Sequence, residues 1–255
     1  MSGAAALGLD RDAGRRDAVR RGAVRALPGP RALLRWTGAL GATGLVLARV
    51  AAGQGRPELL SAWSRRLLRA LAVEAGLAGP LPEAQLWVAN HLSWLDPMVL
   101  MALRPMGTVA KAEVAGYPVL GRGAARAGLR FVDREEPRSR AAALAAFAAD
   151  LRAGRPMLLF PEGTTTRGEA LAPLWTGGIL AAHALGVRVL PLRLESGDPH
   201  YPWTGDESLL PHLAGLAKAP RTTVRVVPGA VLDPARTGDA QAFLDALRAH
   251  LEPRT

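Results

Sequence analysis

The sequence predicts an α/β fold in which a mixed, mostly parallel sheet is flanked by helices and is preceded by an N-terminal two-helix module. From Leu86 onward, short apolar runs alternate with helical patterns, which is typical of strands joined by helices. A Gly/Pro-rich linker, GLAGPLPEAQ over 76–85, separates this part from what precedes it. Hydrophobic residues make up 49% of the chain, which is enough to bury a sizeable core.

The elements of the α/β part follow in chain order. The predicted strands are short apolar runs bounded by turn residues: LWVAN, GTVAK, GLRFV, PMLLF, RVLPLRLE and TTVRVVPGAVL. The predicted helices are the stretches DPMVLMAL, RSRAAALAAFAADLRAG, PLWTGGILAAHALG and DAQAFLDALRAHL. Asp96 is predicted to be the N-cap of the first of these helices, with Pro97 at its first position, and Gly154 is predicted to end the second.

Most of the basic charge lies in the N-terminal part of the chain. Residues 1–75 hold thirteen arginines and five acidic residues, so eight of the ten net positive charges fall there. The predicted organisation is a basic flexible tail over 1–30, a helical module over 31–76 and an α/β domain over 77–255. The module is predicted to associate with a membrane, for the following reasons.

Both helices of the module combine this charge with apolar residues. The uncharged stretch 36–48 is shorter than the roughly 20 residues that a spanning helix needs. The second helix, predicted within 58–76, carries four apolar residues on one face: Leu60, Trp63, Leu67 and Leu71. Basic amphipathic helices with Trp and Leu are typical of membrane-surface segments, which favours an anionic membrane over nucleic acid as the partner. The alternative is that both helices simply pack on the protein core.

The stretch VANHLSWLDPMVL, over 88–100, contains a candidate catalytic pair. His91 follows a predicted strand, and Asp96 begins the next helix after a tight turn. A carboxylate bonded to one imidazole nitrogen fixes the tautomer and stabilises the cation that forms when the other nitrogen takes a proton. The pair would be a general base with its orienting partner, and the alternative is a helix cap beside a turn histidine. Because no Gly-x-Ser-x-Gly elbow occurs, the simplest base would act on a hydroxyl of the substrate itself.

Two further strand-end stretches carry candidate binding residues. FPEGTTTRG, over 160–168, offers Glu162, Gly163, Thr164 and the charge of Arg167 for an anionic or polyhydroxyl substrate. GLRFVDR places Arg134 after a strand, where its guanidinium could bind a phosphate. For both stretches the alternative is a simple turn or a surface ion pair. The chain has no cysteine, and its five histidines lack metal-ligand spacing, so no metal site is predicted.

Taken in order, NHLSWLD, GLRFVDR, FPEGTTTRG and VLPL (189–192) resemble the four motif blocks of the glycerolipid acyltransferases. The bacterial 1-acyl-sn-glycerol-3-phosphate acyltransferases are the most similar branch, and the resemblance covers roughly 80–232. It implies a glycerol-3-phosphate acyltransferase-like fold, with His91 as base and Asp96 as its partner. It also implies that Arg134, Glu162, Gly163 and Thr164 surround the substrate head group, and Lys111 matches a basic position of the family.

The implied reaction moves an acyl group from acyl-CoA or acyl carrier protein to the sn-2 hydroxyl of 1-acyl-sn-glycerol-3-phosphate, giving phosphatidic acid without a cofactor. The acceptor would be a lysolipid in the membrane. The protein would then lie at the cytoplasmic face of the cell membrane, either peripheral or partly inserted. The stretch YPWTGDESLLPHL, over 201–213, resembles branches that acylate lyso-ornithine lipid, so this lipid is the alternative acceptor. A catalytically inactive lipid-binding or nucleic-acid-binding protein is the alternative from another class.

Overall fold

The computed structural model describes residues 29–52, 54–112, 126–205 and 207–253, so nearly all of the predicted tail over 1–30 lies outside the described residues. The helices within these ranges are α1 (Pro30–Ala51), α2 (Pro57–Leu71), α3 (Asp96–Leu103), α4 (Pro137–Arg152), α5 (Gly177–Ala184), α6 (Leu209–Leu216) and α7 (Ala240–Leu251). The strands are β1 (Val73–Leu77), β2 (Leu86–Ala89), β3 (Gly107–Lys111), β4 (Leu129–Val132), β5 (Met157–Leu159), β6 (Val189–Ser196) and β7 (Thr222–Pro228).

The strands form one mixed sheet in the order β1-β7-β6-β2-β5-β3-β4. Strands β6, β2, β5, β3 and β4 are parallel to one another. Strand β7 is antiparallel to β6, and β1 is parallel to β7. The predicted fold class, a mixed and mostly parallel sheet flanked by helices, is therefore confirmed. The carboxyl ends of β2, β5, β3 and β4 lie at one edge, where loops of such sheets carry their sites.

Strand β2 lies at the centre, and all four of its residues are buried. Trp87 and Ala89 face a core layer that includes leucines of α2 and α3, whereas Leu86 and Val88 face the layer formed with α4, α5 and α7. This alternation follows from the two-residue period of a strand. A run that is apolar at every position is therefore needed, because both faces of the sheet are covered by helices.

The second N-terminal helix is shorter than predicted. Within the predicted stretch 58–76 the helix ends at Leu71, Ala72 adopts a left-handed conformation with φ of 54°, and β1 begins at Val73. Strand β1 pairs with β7, so the last residues of the predicted module 31–76 lie in the sheet. The helical period had suggested a continuous helix because the partner strand lies about 150 residues further along the chain.

The apolar face of α2 is covered by protein. Its residues Leu60, Leu67 and Leu71 are buried in the core layer beside the sheet, and Trp63 is partly buried against it. The prediction that this face contacts a membrane is therefore wrong, and the alternative of core packing holds for α2. Core-facing and membrane-facing helices carry the same apolar stripe, which is why the pattern alone did not separate them.

Helix α1 is different, because it exposes four leucines to solvent: Leu33 (53%), Leu34 (74%), Leu40 (71%) and Leu45 (48%). Its inner side is held by the buried Arg35, whose guanidinium donates to the carbonyl oxygens of Leu216, Ala219 and Pro220 at distances of 2.6 to 3.0 Å. Leu216 is the last residue of α6, where helix carbonyl groups lack partners of their own, and Ala219 and Pro220 follow in the turn after it. No helix in the described ranges combines the length and the apolar character that crossing a bilayer requires.

Two other helices differ from the prediction. Helix α5 begins at Gly177, so the predicted first residues PLWT lie in an irregular segment before it. Helix α6 was not predicted at all. Its sequence, LLPHLAGL, contains Pro and Gly and is too short to show a clear period.

Candidate active site

The loop between β2 and α3 brings His91 and Asp96 together. His91 Nδ1 lies 2.8 Å from Asp96 Oδ2, the Asp96 side chain is fully buried, and the His91 side chain is 15% exposed. The predicted hydrogen bond between the two residues is therefore present. A buried carboxylate on Nδ1 places the ring proton there and leaves Nε2 as the nitrogen that can accept a proton.

Asp96 is the first residue of α3 rather than its N-cap, which is Leu95, so the N-cap prediction is wrong. Its carboxylate turns back into the loop, where Oδ2 also accepts from the backbone N–H groups of Leu92 at 2.6 Å and Ser93 at 2.7 Å. The tight turn forms because these N–H groups converge on one oxygen. These hydrogen bonds fix the orientation of the buried carboxylate.

The other carboxylate oxygen, Oδ1, accepts a hydrogen bond of 2.6 Å from the phenol of Tyr201. Tyr201 follows β6 and is completely buried. Burial and the nearby negative charge of Asp96 raise the pKa of Tyr201 well above its ordinary value, so the phenol keeps its proton and acts as the donor.

The His91 ring is placed by a second contact, since it stacks on Phe160 with centroids 4.2 Å apart and planes 21° apart. Within the described ranges no group forms a hydrogen bond with Nε2. Ser93 is buried, and its hydroxyl lies 3.4 Å from the Leu95 N–H. Ser93 is therefore a turn residue here, not a nucleophile paired with His91.

The backbone of His91 is held on both sides by the loop that follows β5. The His91 N–H donates to Glu162 Oε1 at 2.8 Å, and the His91 carbonyl accepts from the Thr166 N–H at 2.8 Å. The second oxygen of Glu162 accepts from the Ala172 N–H at 2.9 Å. Glu162 is only 3% exposed, and burial raises its pKa despite these two N–H groups. The contacts of this carboxylate show it fixing the loop to His91, while its predicted place at the head group stays a prediction.

Gly163 brings this loop against Arg134. Its φ of +66° is a conformation that favours glycine, and a Cβ there would lie 3.1 Å from the Trp175 ring. The same Cβ would lie 3.9 Å from Arg134 Nε, so the Arg134 side chain runs close to the Gly163 backbone. Arg134 and Gly163 are therefore neighbours, and their place at the head group stays a prediction.

The remaining predicted residues lie at the same edge of the sheet. Lys111 is the exposed last residue of β3, and Thr164 and Arg167 are exposed in the loop after β5. Arg167 also lines a cavity of about 510 Å³ formed with residues of 199–218, among them His200 and Lys218. Most of the stretch between Lys111 and β4, residues 113–125, lies outside the described residues.

Asn90 and Tyr201 were missed as site residues, and Thr166 was noted only as one of the three threonines in the loop after β5. Asn90 pairs with the backbone of Leu194, Thr166 with that of His91, and Tyr201 with Asp96. Asn90 directly precedes His91, so its position gave a weak signal. Tyr201 gave none, because it lies 105 residues from Asp96. In the part of the chain that the structure describes, no three His, Asp or Glu side chains are grouped to hold a metal ion.

A buried carboxylate, an oriented imidazole and an unbonded Nε2 suit general base catalysis at a strand-end loop. The Acyltransferase family model matches residues 79–195, which include His91, Asp96 and the Glu162 loop. A relative from Pseudomonas aeruginosa, described as lyso-ornithine lipid O-acyltransferase, is 38% identical over 177 residues, covering 67% of this chain and 68% of the relative. The chain therefore belongs to the acyltransferase family, and the protein is an acyltransferase.

Two particular relatives extend this comparison. The 1-acyl-sn-glycerol-3-phosphate acyltransferase of Neisseria meningitidis serogroup B is 30% identical over 195 residues, covering 72% of this chain and 75% of the relative. The crystal structure of the 1-acyl-sn-glycerophosphate acyltransferase from Thermotoga maritima superposes with a TM-score of 0.62. The superposition covers 87% of this chain and 93% of the Thermotoga maritima chain. Because the sequence identity is 18%, this likeness shows the fold alone.

Proposed function

We propose that the protein transfers an acyl group from an acyl thioester to the hydroxyl of a lysolipid, with His91 as the general base. The observation that carries this proposal is the 2.8 Å bond between His91 Nδ1 and the buried Asp96, which leaves Nε2 as the proton acceptor. Family membership supplies the reaction class, and this geometry supplies the base.

The chemistry follows from the two ring nitrogens. Nε2 of His91 takes the proton of the lysolipid hydroxyl as its oxygen attacks the thioester carbonyl. The tetrahedral oxyanion collapses, the C–S bond breaks, and the imidazolium returns the proton to the departing thiolate. Asp96 stabilises the imidazolium between these two steps. General base catalysis of this kind contributes ~10²–10⁴-fold, and the remaining acceleration comes from positioning and from donors to the oxyanion.

Cationic residues at the same edge of the sheet support an anionic head group. Arg134 lies against Gly163, and Lys111 and Arg167 are exposed at neighbouring strand ends. A guanidinium fork matches two oxygens of a phosphate or of a carboxylate. Thr164 would add a hydroxyl donor on the exposed side of the loop.

Two acceptors fit these cations. The motif blocks favour lysophosphatidate, which carries a phosphate. Lyso-ornithine lipid is supported by the Pseudomonas aeruginosa relative described as its O-acyltransferase, which is 38% identical, whereas the Neisseria meningitidis lysophosphatidate-type relative is 30% identical. Lyso-ornithine lipid presents the carboxylate of an amino acid, so both acceptors suit the same arginines.

The membrane part of the proposal rests on α1. Its four exposed leucines form an apolar outer surface that is flanked by the exposed Arg31 and Arg49, and the protein is proposed to rest on the cytoplasmic face of the cell membrane through it. The acyl donor is acyl-CoA or acyl carrier protein. The proposed reaction needs no cofactor, because a thioester is already activated.

The test offers the purified enzyme an acyl-CoA or an acyl carrier protein with lysophosphatidate or lyso-ornithine lipid and measures the released thiol. Wild type is compared with His91→Ala and with His183→Ala, a matched change in α5 outside this site. We expect acylation of one of the two lipids by wild type and His183→Ala, and none by His91→Ala. A folded His91→Ala variant with wild-type activity would show that His91 is not the base. The lipid that is acylated decides between the acceptors, and acylation of neither would contradict the proposed acceptor class.

A further inference from the structure

We infer that Tyr201 is a positioning residue for the catalytic pair, with its phenol fixing the orientation of the Asp96 carboxylate that aligns His91. The inference rests on the proposed role of His91 and Asp96. It adds a residue from the loop after β6 to a pair formed by the loop after β2 and the first residue of α3.

The two oxygens of Asp96 have different partners. Oδ2 accepts from His91 Nδ1 and from two backbone N–H groups, whereas Oδ1 accepts only from the Tyr201 phenol among the described residues. Without the phenol, Oδ1 would be a buried charged oxygen with no partner. The carboxylate would then tilt toward other donors, and the oxygen that faces His91 would no longer be fixed.

The phenol itself is held in a rigid place. The Tyr201 N–H donates to the Asp198 carbonyl at 3.0 Å, and the Tyr201 carbonyl lies 3.1 Å from Nε2 of the buried His212. Trp94 Nε1–H donates to His212 Nδ1 at 3.1 Å, so the His212 proton is on Nε2 and is given to the Tyr201 carbonyl. Because Trp94 belongs to the catalytic loop, His212 connects that loop to the backbone of Tyr201.

Trp203, two residues after Tyr201, makes a second connection between this segment and the catalytic loop. The Trp203 N–H donates to the Leu92 carbonyl at 2.8 Å. The segment around Tyr201 is thus joined to the catalytic loop at two points, and the 2.6 Å contact with Asp96 is set by the backbone rather than by a mobile side chain.

The test is Tyr201→Phe, which keeps the ring and removes only the donor. We expect kcat to fall by roughly tenfold or more while KM for both substrates stays within twofold, because the phenol touches neither substrate. The matched control is Thr237→Val, which removes a side-chain hydrogen bond to the Asp233 carbonyl outside the site and should leave kcat near wild type. A Tyr201→Phe enzyme with wild-type kcat would overturn the inference.

A spectroscopic measurement separates positioning from a general loss of structure. The Nδ1 proton of His91 should give a far-downfield proton resonance that is absent from His91→Ala, and Tyr201→Phe should shift it. Incorporating 3-fluorotyrosine, a stronger donor, at the two tyrosines of the chain should shift it in the opposite direction without removing the phenol. If Tyr201→Phe fails to fold, the fluorinated enzyme alone decides the point, and an unchanged resonance contradicts the inference. Loss of activity in His91→Ala with no effect at Tyr201 would refute the positioning role and leave the proposed function intact, whereas an active His91→Ala would refute both.

Discussion

The side-chain amide of Asn90 forms two hydrogen bonds with the backbone of Leu194, accepting from its N–H at 2.7 Å and donating to its carbonyl at 3.1 Å. The last backbone pair between β2 and β6 joins Ala89 and Leu192. The amide therefore continues the ladder with a side chain after the strand has ended. These two hydrogen bonds fix the position of Asn90, and His91 is the next residue in the chain.

Replacing Asn90 with Ala should destabilise the protein, because it leaves the N–H and the carbonyl of Leu194 buried without partners. We expect the free energy of unfolding to fall by roughly 2–5 kcal/mol, measured by urea denaturation. Gln241→Ala is the matched control, since that amide bonds only Asp245 on the surface, and it should change the free energy by less than about 0.5 kcal/mol. Equal effects of the two substitutions would show that the ladder extension contributes little.

Asp96→Asn should keep the fold and lose the activity. The asparagine oxygen can accept from the three groups that meet at Oδ2, and its amide can donate to the Tyr201 hydroxyl. The neutral side chain no longer stabilises an imidazolium at His91, so kcat should fall by ~10²-fold or more. Steady-state kinetics measure the loss of activity, and the melting temperature shows whether the fold is kept. Activity within a few fold of wild type would mean that the charge of Asp96 is not needed.

Glu162 makes the stability depend on pH. Because burial raises its pKa, the folded protein binds the Glu162 proton more readily than the unfolded chain does. The stability from this proton is fully present below the unfolded pKa, near the ordinary 4.5, and is lost as the pH rises through the higher folded value. The Glu162→Gln variant lacks this titrating group. The stability of wild type minus that of Glu162→Gln should therefore be larger at pH 5 than at pH 8.

Thermal melts of both proteins at the two pH values measure this difference. Glu169→Gln removes an exposed carboxylate from the same loop and serves as the control. A gap between wild type and Glu162→Gln that stays constant from pH 5 to pH 8, or that grows as the pH rises, would contradict the prediction.

The outer leucines of α1 should control binding to lipid. Replacing Leu34 and Leu40, which are 74% and 71% exposed, with Glu should weaken sedimentation with anionic vesicles by more than about tenfold. The reason is that each leucine would contribute about 1.5–3 kcal/mol if buried in lipid. The control makes the same charge change at Leu144 and Leu180, which are 39% and 37% exposed on other helices. Both variants should melt near the wild-type temperature, and equal vesicle binding by the two would contradict a docking role for α1.

The sequence predicted those features that depend on local patterns. Short apolar runs identified the six strands from Leu86 onward: β2 and β6 are buried on both faces of the sheet, whereas β7 alternates buried and exposed residues. Strand β1 was missed, since VEAGL continues a helical pattern and only its distant partner β7 makes it a strand. The apolar face of α2 was assigned to a membrane because a helical stripe does not reveal which surface covers it.

In the candidate site, too, the sequence predicted the local contacts and missed those between distant parts of the chain. The bond between His91 and Asp96 was predictable, because a five-residue spacing closes through one turn. The pairing of Glu162 with the His91 backbone was not, because it joins two loops 71 residues apart, and Tyr201 lies further still. The proposed roles of Lys111, Arg134 and Arg167 at the head group stay predictions.

The position of Tyr201 also limits how far the chain can be truncated for expression. The match to the family model ends at residue 195, before Tyr201. A fragment trimmed to that limit would keep His91, Asp96 and the Glu162 loop but would lack the phenol, helix α6 and strand β7. Strand β1 would lose its neighbour, and Arg35 would lose the carbonyls that it caps. The stretch matched by the family model is therefore smaller than the packed unit, and we expect a minimal expression fragment to run through α7, whose Phe243, Leu247 and Leu251 lie in the core.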